Sequence, residues 1–101
     1  MKPGAIVLVH LANPVEKFWG VLLSLETVGV VLRGINLNSF DDWLVDVAGG
    51  GDQDLGLVTM FVPMARVERM FLDERVGEVE SYRERVERRA GRDLESWLGT
   101  R

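Results

Sequence analysis

The sequence predicts a mainly β fold: a small, strongly bent barrel of five strands, with a short inserted helix and an amphipathic helix at the C-terminus. Two observations predict it. Residues 5–11, 18–26 and 28–35 are apolar runs of strand length separated by short connections, and two further runs follow at 57–62 and 66–72. The chain has 101 residues, of which 47% are hydrophobic, and this suits one domain with a modest core.

Turn-forming residues set the boundaries of the first three strands. Asn13-Pro14 separates the first two, because proline presets its φ angle for a turn and has no N–H for a ladder. The second strand contains Gly20, and a glycine inside a strand is typical of a bend or of a close backbone approach. We expect a bend there, since a small barrel needs one. Glu26-Thr27 ends this strand, and residues 28–35 form the third.

Residues 36–57 form an insert that begins as a helix and continues as an acidic loop. Ser39 is the expected N-cap, and glycines at 49–51 are expected to end the helix. The apolar residues of the helix recur at helical spacing on one stripe: Phe40, Trp43, Leu44 and Val47. The insert has no basic residue, and its aspartates are Asp41, Asp42, Asp46, Asp52 and Asp54.

The rest of the chain predicts two strands and a helix. Residues 57–62 are rich in β-branched and aromatic side chains, and Pro63 ends that strand. Residues 66–72 form the fifth strand. From residue 78 to residue 98 the apolar residues recur every three or four positions, which predicts a C-terminal amphipathic helix. Gly91 lies inside it, costs about 1 kcal/mol relative to alanine, and is expected to kink or split the helix.

Both faces of the predicted strands are apolar, so the outside of the barrel needs a cover. The available covers are the helix of the insert, the C-terminal helix and a second copy of the chain. We expect all three to contribute, which makes a homo-oligomer the expected state. In this organisation residues 1–76 form the barrel, with the insert at 36–57, and residues 77–101 form a helix that packs on the barrel or on a partner subunit.

The composition argues against most kinds of chemistry. The chain has no cysteine and a single histidine, His10, so neither thiolate chemistry nor a multi-histidine metal site can form. No serine has a neighbouring base, and the glycines at 49–51 lack the Lys-Ser/Thr sequel of a phosphate loop. We therefore expect no catalytic residue, no metal and no cofactor, and interpret the chain as a protein that is not an enzyme.

Charge and hydropathy bear on partners and location. The net charge is −4, which is unlike that of most nucleic-acid binders. No apolar segment approaches the roughly 20 residues of a membrane-spanning helix. The apolar run at 5–12 continues into residues 13–16 without a small-residue cleavage site, so we interpret it as a strand and not as a signal peptide. We expect a cytoplasmic protein with no membrane partner.

The second and third strands contain the pattern Phe18-x-Gly20-x-Leu22, followed by Glu26 and Leu32. In order and spacing this pattern resembles the first motif of the Sm-like proteins. The five strands with a variable insert between the third and the fourth also look like the Sm-like fold, a small SH3-like barrel. The resemblance covers about residues 5–72. It implies that strands of neighbouring subunits pair edge to edge into rings.

The family holds RNA bases with an asparagine of the first motif and with an arginine-glycine or lysine-centred second motif. The corresponding positions of this chain are Val30 and residues 65–68, which read Ala-Arg-Val-Glu. The resemblance therefore implies the fold and the assembly more directly than it implies a base pocket.

Two functions remain as hypotheses. The first is a non-enzymatic Sm-like barrel that self-associates and serves as an interaction or scaffolding module for a protein partner. Its expected interface residues are Trp19, Val21, Leu23 and Trp97. The alternative is RNA binding at an arginine-lined rim of the barrel, where the contacts to phosphates would come from Arg33, Arg66 and Arg69. We favour the simpler interpretation of Arg66 and Arg69, which is that they pair with Glu68, Asp73 or acidic residues of the C-terminal helix.

Overall fold

A computed structural model of the chain describes residues 1–50 and 57–91. Its strands are β1 Ile6–Leu11, β2 Glu16–Glu26, β3 Gly29–Asn36, β4 Val58–Pro63 and β5 Val67–Leu72. Its helices are α1 Phe40–Ala48 and α2 Tyr82–Ala90, and single 3₁₀ turns lie at Leu37–Ser39 and Met64–Arg66. The mainly β prediction is confirmed, and each predicted strand exists within a few residues of its predicted bounds.

The five strands form one antiparallel sheet in the order β4-β3-β2-β1-β5. The long strand β2 pairs with β1 along its first half and with β3 along almost its whole length. Its register against β3 shifts between Leu22 and Ser24, so Leu23 is an extra residue on that strand. Such a bulge bends the strand and increases its local twist. The bend that we expected at Gly20 is therefore at Leu23, three residues further along β2.

Gly20 has a different role, which is to let two central strands approach closely. It lies opposite Gly34 of β3. A Cβ added to Gly20 would lie 2.3 Å from the carbonyl oxygen of Arg33 and 2.6 Å from the Cα of Gly34. A Cβ on Gly34 would lie 2.1 Å from the carbonyl oxygen of Trp19. The two glycines thus face one another at a point where the backbones of β2 and β3 lie too close together for a Cβ atom.

The sheet buries both of its faces. One face forms a cluster with both helices, in which the buried side chains are Ile6, Leu8, Trp19, Val21, Ile35, Phe40, Trp43, Leu44, Val47, Leu57 and Val86. The other cluster is built without a helix, from Val7, Val9, Leu11, Leu22, Val30, Leu32 and Val62. A flat sheet would leave this second face open to water, so the sheet is curved around it. Both helices therefore pack on the same face of the sheet.

Helix α1 follows the sequence prediction closely. The four stripe residues named above are its buried residues, and Asp41 and Asp42 stand in its first turn. Ser39 occupies the N-cap position, but its side chain makes no capping hydrogen bond. The side chain of Asn36 caps instead, since its oxygen accepts a hydrogen bond from the N–H of Asn38 at the preceding 3₁₀ turn.

Helix α2 begins later than predicted and ends at Gly91 within the described residues. Val76 and Val79 form a small antiparallel bridge around Gly77, whose φ is +59°, and this turn delays the helix. Ser81 then starts it with a capping box, in which Ser81 and Glu84 satisfy one another's backbone N–H groups. Gly91, where we expected a kink or a split, has a φ of +70° and is a left-handed C-cap that ends α2. Residues 92–98 of the predicted helix lie outside the described residues.

Candidate functional site

Two of the expected interface residues are buried inside the chain itself. Trp19 and Val21 have no exposed surface, and the indole ring of Trp19 lies 5.3 Å from the ring of Phe40 and 5.7 Å from that of Trp43. Trp19 does point to the outer face, as the sequence predicts, but α1 covers it. With α1 in place neither residue can contact a second copy. Leu23, at the bulge, is 37% exposed, and Trp97 lies outside the described residues.

The indole of Trp19 also joins the sheet to α2. Its Nε1 donates a hydrogen bond of 3.0 Å to the carboxylate of Asp73, just after β5. The same carboxylate accepts from the backbone N–H groups of Tyr82 and Arg83 at 2.9 and 2.8 Å. Asp73 thus occupies the N-terminus of α2, where the helix dipole favours a negative charge. One side chain fixes the position of α2 on the sheet.

Arg66, one of the three arginines expected at an RNA-binding rim, is held within its own chain. Its guanidinium donates to the carbonyl oxygens of Ala12 and Pro14 at 3.2 and 2.6 Å, and forms an ion pair of 3.0 Å with Glu16. These contacts tie the connection after β4 to the β1–β2 turn. Arg66 therefore has the paired, structural role that we favoured, although its partner is Glu16.

The register separates the other two arginines. Arg33 lies opposite Val21 of β2 and Thr59 of β4, whereas Arg69 lies opposite His10 of β1. Two strands stand between β3 and β5 in the sheet, and the two arginines also lie on different cross-strand rows. They do not form one cluster within the chain. RNA binding at the three-arginine rim stays a prediction that would need an assembly to bring these residues together.

Strands β4 and β5 form the two ends of the described sheet, and each has backbone groups that no other described strand engages. The Met64 N–H donates to the Val28 carbonyl, so these two residues form a hydrogen-bonded pair. From there, hydrogen-bonded and non-hydrogen-bonded pairs alternate along β3 and β4. This alternation points the backbone N–H groups of Thr59 and Phe61 away from β3, towards the open edge. The Asp73 N–H donates to the Ile6 carbonyl, and the same argument points the N–H groups of Met70 and Leu72 to the open edge of β5.

Apolar side chains accompany both edges. On β4, Val58 is 52% and Phe61 is 55% exposed. On β5, Phe71 is 40% and Leu72 is 43% exposed. Strand β4 contains no charged residue at all. Natural edge strands are usually protected by charges, bulges or covering elements, so an unprotected apolar edge indicates a pairing surface.

A row of basic side chains crosses three strands on the helix-bearing face of the sheet. Lys17 of β2 lies opposite His10 of β1, and His10 lies opposite Arg69 of β5. We call these three residues the basic row. The ring of Phe71 lies 5.0 Å from that of His10 at an interplanar angle of 82°, so an aromatic side chain adjoins the row. Partial burial, together with the charges of Lys17 and Arg69, lowers the pKa of His10 from its usual 6.5.

The sequence contained a signal for two of the three residues in this row, His10 and Lys17. If Asn13-Pro14 is the centre of a hairpin, residues 10 and 17 are equidistant from it and must face one another, as they do. No local signal places Arg69 beside them, because the pairing of β5 with β1 joins segments almost sixty residues apart.

The arginines around α2 are mostly engaged by carboxylates. The pairs are Arg75–Glu84, Arg83–Glu87, Arg88–Glu80 and, across to α1, Arg85–Asp41. The hydrogen bond from Arg88 lowers the pKa of Glu80, and the hydrogen bond from the Ser81 N–H lowers the pKa of Glu84. These arginines therefore pair with carboxylates of their own chain.

In residues 1–50 and 57–91 there is no group of three or more His, Asp or Glu side chains that could hold a metal ion. Neither helix of the same ranges is long and apolar enough to cross a bilayer. Comparison of the chain with protein-family models, with curated proteins and with solved structures found no match. The proposals below therefore rest on the geometry of this chain alone.

Proposed function

We propose that the protein is a non-enzymatic, self-associating small barrel of the Sm-like type that serves as an interaction or scaffolding module. The single observation that carries this proposal is the pair of open sheet edges, which pair with no other strand of the described residues. Strands β4 and β5 end the described sheet on opposite sides, each has six residues, and each presents outward backbone groups with exposed apolar side chains beside them.

The sheet supports the barrel part of the proposal. Strand β5 returns to pair with β1, and β2 bends at its bulge, as a small barrel requires. The cluster of strand side chains joins Val62 of β4 to Leu11 of β1, although β3 and β2 lie between those strands. Together with the motif at 18–32, these features favour the Sm-like type among small barrels.

The edges support the assembly part. The two edges differ in sequence, so pairing β4 of one copy with β5 of the next is heterologous, and it produces a ring if the rotation closes. Strand addition of this kind satisfies main-chain hydrogen bonds that water otherwise satisfies, and it covers side chains such as Phe61 and Leu72. The helices already cover the middle of the outer face, which leaves the edges for contacts between copies.

Mass measurement by light scattering or sedimentation tests the proposal. The protein is expected to be larger than a monomer, and Thr59→Pro is expected to reduce the mass to that of a monomer while the far-UV circular dichroism stays unchanged. Proline at 59 removes an N–H that points to the open edge, whereas Met60→Pro removes an N–H that β3 uses and is expected to unfold β4.

Phe61→Lys provides a second edge variant that keeps the backbone intact, and Val45→Lys is its matched control. Val45 is 60% exposed and belongs to α1, outside both edge strands, so lysine there is expected to leave the mass unchanged. A monomeric mass for the unmodified protein over the whole accessible concentration range would overturn the proposal. So would an equal loss of mass in Phe61→Lys and Val45→Lys.

A further inference from the structure

We propose that Met60, Met64 and Met70 form an oxidation site that controls how the two end strands pack on the core, and we call these three residues the methionine group. Peroxide converts their thioethers to sulfoxides, which no longer fill the apolar space that the thioethers fill. The inference goes beyond the proposed self-association, because it concerns the inside of the curved sheet and not its edges. Only its consequence for assembly rests on that proposed function.

The first observation is where the three side chains lie. Met60 belongs to β4, Met70 belongs to β5, and Met64 belongs to the 3₁₀ turn that joins these two end strands. All three are partly buried and pack against the cluster of strand side chains that contains no helix. The chain has four methionines, so all of them except Met1 are in this one place. The methionine group thus lies where both end strands of the sheet pack on one shared core.

The second observation is that this side of the cluster differs in composition from the rest. The side chains of residues 60–70 that belong to the cluster or pack against it alternate between two types: Met60, Val62, Met64, Val67 and Met70. The buried members from β1, β2 and β3 are all valine or leucine. Methionine is unbranched and flexible, so it fills irregular gaps in a core. The packing of the two end strands therefore depends on thioether side chains.

The partial exposure of the methionine group gives a small oxidant access to its sulfur atoms. In the reaction with hydrogen peroxide, the sulfur attacks one peroxide oxygen, the O–O bond breaks and an S–O bond forms, while the other oxygen leaves as water. The sulfur is oxidised by two electrons and the peroxide is reduced. The chain has no cysteine, so no thiol of its own competes for the peroxide.

A sulfoxide at these positions has no polar partner inside the cluster. The surrounding side chains are apolar, and the alternation of the ladder places the backbone groups of Met60 and Val62 in hydrogen bonds to β3. Burial of a polar group without a partner is unfavourable, so the oxidised side chain turns towards water. It leaves a cavity in the cluster, which is destabilising in itself. Oxidation therefore loosens the attachment of β4 and β5 to the core.

Mild treatment with hydrogen peroxide, followed by peptide mass spectrometry and thermal melting, tests the inference. Each residue of the methionine group is expected to gain one oxygen atom. When all three carry it, the melting temperature is expected to fall by at least about 10 °C. Methionine sulfoxide reductases of both stereospecificities, supplied with a dithiol, are expected to restore the melting temperature, because sulfoxide formation is reversible.

The variant Met60→Leu/Met64→Leu/Met70→Leu removes the thioethers and keeps apolar side chains of similar volume. Peroxide is expected to leave its melting temperature within about 2 °C of the untreated value. The matched control adds Val45→Met to this variant, at a position of α1 that is 60% exposed. Its new thioether is expected to be oxidised without effect on melting. If the triple variant does not fold, the three single leucine variants replace it, and each is expected to show a smaller fall than the parent.

Three outcomes would overturn the inference: an unchanged melting temperature in a parent whose three methionines are oxidised, an equal fall in the triple variant, or resistance of the methionine group at a peroxide dose that oxidises Met1. Mass in solution is the separate readout for assembly. Oxidation is expected to reduce the mass of the assembled parent, because β4 and β5 carry the edges, and an unchanged mass would contradict that consequence. A monomeric untreated parent would contradict the proposed self-association and would leave the melting test valid.

Discussion

Gly20→Ala is the sharpest test of how the sheet is built. A Cβ at residue 20 would lie 2.3 Å from the Arg33 carbonyl oxygen, whereas real Cβ contacts are essentially never shorter than 3.0 Å. The obstruction is backbone of the neighbouring central strand, so no side-chain rotation relieves it. Strands β2 and β3 would have to separate by about 0.7 Å at the point where Trp19 and Val21 pack beneath α1.

The expected magnitude follows from that displacement. Overpacking in a well-packed interior costs about 1–3 kcal/mol, and a weakened ladder hydrogen bond adds about 1 kcal/mol. We therefore expect the free energy of unfolding to fall by about 3 kcal/mol. For a domain of this size the melting temperature should then fall by about 12–24 °C.

The assay is urea unfolding followed by tryptophan fluorescence, with thermal melting as a second measurement. Gly49→Ala is the matched control, because Gly49 has a φ of −86° and a Cβ there would meet its nearest atom at 3.4 Å. That substitution is expected to be neutral or to stabilise by up to about 1 kcal/mol, through the unfolded chain. If Gly20→Ala melts within about 2 °C of the parent, the close crossing of β2 and β3 is not as described.

Three further outcomes are expected. Asp73→Ala should lower the free energy of unfolding by about 2–4 kcal/mol in a denaturant titration, because it removes the acceptor of the Tyr82 and Arg83 N–H groups and leaves the buried indole N–H of Trp19 without an acceptor. Trp19→Ala should lower the free energy of unfolding by about 3–5 kcal/mol, because it truncates a core side chain. If the variant lost assembly but kept its stability, the burial of Trp19 under α1 would be contradicted. NMR titration should place the pKa of His10 below 6.5, and Lys17→Gln should raise it. Because folding lowers this pKa, the unfolded chain binds the proton more readily, so stability should rise with pH from the folded-state pKa to about 7 and then level off.

The parts of the fold that depend on local pattern were predictable from the sequence. The strands followed from apolar runs between turn residues, and the buried stripe of α1 followed from its spacing. The start of α2 was missed because the apolar spacing continued through residues 78–81. The capping pair Ser81-x-x-Glu84 was visible in the sequence and would have placed the start correctly. Spacing alone left a kink and a split at Gly91 as alternatives, because it does not report the positive φ that ends α2 there.

The candidate sites depend on pairing between distant strands, which local sequence patterns do not specify. Gly20 was correctly singled out, but the reason was a close approach to Gly34, which requires the register of β2 against β3. The direction of Trp19 was predictable from alternation. The sequence did not show what buries Trp19, because a second copy of the chain and a helix of the same chain would both cover an outward apolar residue.

The covering of the sheet decides which surfaces remain for partners. Helices α1 and α2 cover the face formed by Leu8, Trp19, Val21 and Ile35, and Asp73 fixes α2 there by bonding to both the sheet and the helix. Among the described strands, the two ends of the sheet, β4 and β5, keep exposed apolar side chains such as Phe61 and Leu72. An open edge offers backbone groups whose usual partner is another strand. Trp19 and Val21 are buried within the chain, so self-association that used these two residues would require α1 to move, whereas association through the edges would leave both helices in place. Phe61→Lys therefore distinguishes the two routes, because it changes an edge and leaves the cover of Trp19 intact.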